Sequence, residues 1–100
     1  MAELTVTARA QKWFADEMGL EAGDGVRFFG KYGGSTNAHV GFSTGVAIAQ
    51  PENPSVVVTE AGISYFFEEA DDWFFGPYLL TVDVAEGQEE PTYLYTQINK

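Results

Sequence analysis

Ser35 and His39 lie four residues apart in the stretch GGSTNAH, and His39 is the only histidine of the chain. A serine becomes a nucleophile when a base sits beside it. The spacing here crosses a flexible turn and shows no strand–turn–helix elbow of the kind that exposes a catalytic serine. No catalytic residue is expected, and the chain reads as a non-enzyme. His39 with carboxylates could instead hold Fe, Mn or Zn, since imidazole and oxygen ligands together suit those ions. The ordinary reading is a strand histidine with a satisfied hydrogen bond. Glu68, Glu69, Asp71 and Asp72 are the densest carboxylates. Their spacing is not that of an EF-hand, and the expectation is the solvated face of a short helix. Gly30, Gly33 and Gly34 suggest a phosphate loop. Such a loop opens a helix and supplies a lysine and a hydroxyl at fixed spacing. A strand follows here, so plain turn geometry is expected, and no cofactor.

The elements that position these residues come next. Val26 to Ser43 reads VRFFGKYGGSTNAHVGFS: a strand, a glycine turn, a second strand. Val26, Phe28 and Gly30 share one face; Arg27, Phe29 and Lys31 share the other, because strand side chains alternate. Gly33 and Gly34 admit positive φ. The short polar side chains of Ser35, Thr36 and Asn37 can bond nearby backbone. Strand character resumes at His39 and runs on through Gly45 to Ala49.

Elsewhere, Leu4 to Val6 is a short strand. Thr7 caps a helix from Ala8 to Met18, ended by Gly19 in the left-handed position. Ala10, Trp13, Phe14 and Met18 form its apolar stripe, and Trp13 and Phe14 are expected to be buried by a sheet. Ser55 to Thr59 and Ile63 to Phe67 form a hairpin about Ala61-Gly62. A short helix from Glu68 to Phe74, stopped by Gly76-Pro77, leads to strands at Leu79 to Val84 and Thr92 to Tyr95. The segment from Tyr65 to Phe75 carries Tyr65, Phe66, Phe67, Trp73, Phe74 and Phe75. Most belong in the core. Some are expected at a partner or subunit interface, where aromatic anchors concentrate, and a homo-oligomer fits this composition.

One hundred residues form one domain. The net charge of −10 excludes a nucleic-acid surface, which needs Lys and Arg, and disfavours anionic membranes. Solubility is the plain use of such acidity; a basic protein partner or divalent cations are the sharper one. The absence of cysteine rules out disulfides and thiolate-held clusters. MAELTVTARA carries no signal-peptide pattern, and no apolar run nears the ~20 residues of a membrane span. A cytoplasmic location is expected.

The hairpin motif resembles the core of the HesB-like, or A-type, iron–sulfur assembly proteins. VRFF, the GG pair and GFS match in order, as do the opening LTVT and the segment VVVTEAGISYFFE. In that family the first cluster thiolate follows the GG pair, and here Ser35 occupies the position. The C-terminal CGC motif is replaced by EEPTYLYTQINK. The resemblance is therefore to a cysteine-lacking, YneR-like branch, with Gly33, Gly34 and Ser35 at the ligand-loop positions. It implies a HesB-like domain linked to iron–sulfur cluster biosynthesis that acts through protein contacts. The alternative is a metal-binding protein using His39 and carboxylates. Strand count, turn signals and resemblance together predict a mainly β, α+β fold. It has two small mixed or antiparallel sheets, as a sandwich or flattened barrel, with the helix packed on it.

Overall fold

The computed structural model describes residues 2–98. In chain order the elements are β1 (Glu3–Val6), α1 (Ala8–Met18), β2 (Gly25–Ser35), β3 (Val40–Ile48), β4 (Pro54–Glu60) and β5 (Ile63–Glu68). A 3-10 turn (Glu69–Asp71), α2 (Asp72–Phe75), β6 (Tyr78–Asp83) and β7 (Thr92–Gln97) complete them.

The strands form two sheets, ordered β1-β6-β7 and β3-β2-β5-β4. Each is mixed. β1 runs parallel to β6 and β2 parallel to β5, while β6–β7, β2–β3 and β4–β5 are antiparallel. The larger sheet supplies Val26, Phe28, Tyr65 and Phe67 to the core, and the smaller supplies Leu4, Val6, Leu80, Val82 and Tyr95. These are alternate residues of their strands, as the pleat requires. The expected sandwich or flattened barrel of an α+β fold is what forms.

α1 closes the assembly. Thr7 is extended (φ −68°) and its hydroxyl oxygen accepts from the Ala10 amide at 3.2 Å. The same hydroxyl donates to Asp83 at 2.6 Å, so the end of β6 fixes the cap. Gly19 ends the helix at φ 64°, a conformation that costs glycine nothing. Ala10 and Phe14 are fully buried, and the Phe14 ring meets Phe28 and Tyr65 at 5.9 and 6.0 Å. Trp13 departs from expectation. It is half-buried, edge-on to Phe14, and its indole N–H donates to the Glu89 carbonyl at 2.8 Å. An indole keeps a polar edge that needs a partner, and the acidic loop after β6 provides it.

The segment after β5 also departs from expectation. Glu68 ends β5 and does not begin a helix; its carboxylate accepts the Glu52 and Asn53 amides at 2.9 and 2.8 Å, closing the loop before β4. Those two amide bonds hold its carboxyl below the usual glutamate range. Asp71 is buried, at 8% exposure, and accepts a hydrogen bond from the Arg27 guanidinium. The four carboxylates therefore do not share one solvated face. Glu69 and Asp72 are exposed. The aromatic segment turns inward more completely than expected. Tyr65, Phe66, Phe67, Phe74 and Phe75 are fully buried, because β5 is an interior strand and α2 lies over the core, and Trp73 alone of this set is exposed.

Candidate functional site

β2 is longer than its neighbour in the sheet. β5 pairs with it over Gly25 to Phe28, whereas β3 pairs with it from Val26↔Ile48 to Ser35↔Val40. Past Phe28 the two strands continue as a two-stranded arm. Such ribbons are marginal in water on their own, so other contacts must hold this one.

Three do. Gly30 lies flat against Phe74: a Cβ there would stand 2.8 Å from the ring. Asn37 acts as a short surrogate strand for the edge of β7, its amide donating to the Tyr95 carbonyl at 2.6 Å and accepting the Tyr95 N–H at 2.9 Å. Thr44 and the Tyr95 hydroxyl share a hydrogen bond of 2.7 Å. Burial raises the Tyr95 phenol well above its ordinary value, so the hydroxyl stays protonated. The tip is equally ordered. Gly33 and Gly34 take φ 97° and 70°. Thr36 accepts the Ala38 and His39 amides at 3.0 and 2.8 Å and donates its own N–H to the His39 carbonyl at 2.8 Å.

The residues singled out for chemistry are placed for structure. Ser35 ends β2 opposite Val40. The His39 ring stacks on Phe74 with centroids 4.5 Å apart and planes 20° apart, and Nε2 donates to the Phe74 carbonyl at 2.8 Å. A carbonyl oxygen only accepts, so Nε2 carries the proton in this bond. Among the described residues no three His, Asp or Glu side chains gather as a metal would need.

What the arm presents outward is apolar. Tyr32 is 87% and Val40 91% exposed, and Trp73 beside the arm is 57% exposed. Tyr32 stacks on Phe42 at 5.1 Å, and Phe42 meets the edge of Trp73 at 5.4 Å, so the three rings form one strip. Tyr32 and Phe42 face each other in register and continue the phase of Val26 and Phe28. The strip is thus the core-facing side of the sheet carried past the end of the core. Sequence reasoning found Trp73 but missed Tyr32, Phe42 and Val40. The available signal was the unbroken apolar phase of β2 beyond the length of any other strand.

Cations are few and mostly engaged. Arg9 pairs with Asp83 at 3.3 Å, Lys12 with Asp16 at 2.8 Å, and Arg27 with Asp71. No described helix is long and apolar enough to cross a membrane.

No protein-family model matches the chain. It is 41% identical over 92 residues to the pyruvate dehydrogenase inhibitor of Bacillus subtilis (strain 168), spanning 92% of this chain and 97% of that protein. It is also 31% identical over 94 residues to an uncharacterized protein of Staphylococcus saprophyticus, spanning 91% of this chain and 96% of that one. A second uncharacterized protein, of Staphylococcus epidermidis, is 28% identical over 93 residues, 90% of this chain and 95% of its own. These relatives overturn the expected HesB-like identity, its YneR-like branch and the link to iron–sulfur cluster biosynthesis. The motif that suggested it has a backbone explanation, since the GG pair serves a tight turn and VRFF and GFS are the strands on either side. The chain belongs to the family of the Bacillus subtilis pyruvate dehydrogenase inhibitor.

Proposed function

We propose that this protein is a non-catalytic inhibitor of pyruvate dehydrogenase that works in the cytoplasm by binding the enzyme. The observation that carries this reading is the 41% identity, over nearly the whole of both chains, to a protein named for that inhibition. The geometry supports a binding role. His39 donates to the Phe74 carbonyl, and the exposed aromatic side chains beside it form one strip. Ordered aromatic groups lose little freedom on binding and make strong anchors.

The test is direct. Purified chain is titrated into the pyruvate dehydrogenase complex of the source cell, and the initial rate of pyruvate oxidation is followed. The expected result is a saturable fall in rate. An unchanged rate at large molar excess, with no complex on gel filtration, would overturn the proposal.

A further inference from the structure

We infer that the strip of Tyr32, Phe42 and Trp73 is the docking surface, and that it takes a segment of the partner protein with an apolar anchor flanked by lysine or arginine. This rests on the reading that the chain binds pyruvate dehydrogenase, and it deepens that reading by naming the surface and the chemistry of its counterpart.

The apolar half of the argument is geometric. The rings touch in sequence at 5.1 and 5.4 Å, with Tyr32 and Trp73 open to solvent and Phe42 half-buried between them. The arm that carries Tyr32 and Phe42 is held by Asn37, Thr44 and the Gly30–Phe74 contact. Its shape is therefore set before any partner arrives, which lowers the cost of binding.

The charged half selects the occupant. The chain has 15 carboxylates against 5 Lys and Arg. Among the described cations, Arg9, Lys12 and Arg27 are already paired with carboxylates. Lys31 leaves β2 on the face opposite Tyr32, by strand alternation. Asp72 and Glu69, exposed on the segment that leads into Trp73, line a hollow with Pro54, Ser55 and Val56 of β4. A second copy of the chain approaches against repulsion, since each carries a net charge of −10. A cationic flank on another protein meets the same surface with attraction and faster encounter.

The experiment measures inhibition and binding of the pyruvate dehydrogenase complex by the full chain and its variants. Tyr32→Ser combined with Trp73→Ser should weaken binding at least about tenfold, as loss of anchor rings does. Val57→Ser, an exposed apolar change on β4, should leave it unchanged. Asp72→Lys should weaken binding, and raising salt should weaken the wild type more than this variant. Circular dichroism and a melting curve check each fold. If the double variant melts early, Tyr32→Ser serves alone, because that ring is 87% exposed. Folded variants that inhibit like wild type overturn this inference and leave the proposed function standing. Loss in Val57→Ser as well, or indifference to Asp72→Lys, also overturns it. A wild-type dimer in sedimentation that the double variant abolishes would assign the strip to a second copy and contradict it. A wild type that does not inhibit removes the proposed function, and this inference with it.

Discussion

Asn37 holds the arm to the rest of the molecule with a single side chain, donating to and accepting from the Tyr95 backbone at 2.6 and 2.9 Å. Replacing it with Ala removes both bonds and leaves the Tyr95 amide and carbonyl unpaired. A buried group left without its partner costs about 1–3 kcal/mol. Asn37→Ala is therefore expected to lower the melting midpoint and to speed hydrogen exchange at the Tyr95 amide. Unchanged exchange there would show that the arm is held by other contacts. Glu68 sets a second residue-level expectation. Its carboxyl lies below the ordinary value of 4.5 because two amides donate to it. Asp83 lies below 3.8, chiefly through the Thr7 hydroxyl. A depressed carboxyl binds its proton more readily in the unfolded chain. Its stabilisation is complete above the unfolded value and is lost as pH falls through the folded one. Stability should fall as pH drops below about 4.5, and Glu68→Gln should flatten that part of the profile. An identical acid profile in the variant would contradict the assignment.

At the scale of the element, α1 was legible because its signals are local. Thr7, the apolar phase of Ala10 and Phe14, and Gly19 each act within a turn of helix, and the structure uses all of them. The hairpin glycines were legible for the same reason. The parallel pairs β1–β6 and β2–β5 were not, because no local pattern says which distant strand a segment joins. The partner of Asp71 was hidden likewise: Arg27 lies 44 positions away. Trp13 followed the helical phase only in part, because a loop carbonyl drew its N–H to the rim. The strip was visible as phase but not as exposure, which depends on β5 ending short of β2. The hairpin motif misled about family, since the turn's demand for glycine is common to many hairpins. Phe14 provides the check on the helix. Its ring is fully buried among Trp13, Phe28 and Tyr65. Phe14→Ala should cost about 3–5 kcal/mol, read as a large fall in denaturation midpoint. An unchanged midpoint would show that α1 does not close the core.

At the scale of the whole molecule, an acidic surface surrounds a buried aromatic core and one outward aromatic strip. Burial also lifts the Tyr93 phenol to about 12. A phenol raised in the folded state keeps its proton longer than in the unfolded chain. Its stabilisation is complete below the ordinary value of 10 and disappears as pH climbs toward about 12. Melting should therefore move to lower temperature across that alkaline window, less steeply in Tyr93→Phe; equal slopes would contradict the burial of that ring.

The central claim is that inhibition occurs by occupancy of the enzyme and not by chemistry done to it. Its most direct measurement is the rate of the pyruvate dehydrogenase complex against the molar ratio of added chain, read at several times and again after the chain is washed away. The account predicts a fall that is set by the ratio, constant in time and restored on removal. Inactivation that progresses with time at trace ratios, and persists after removal, would contradict it.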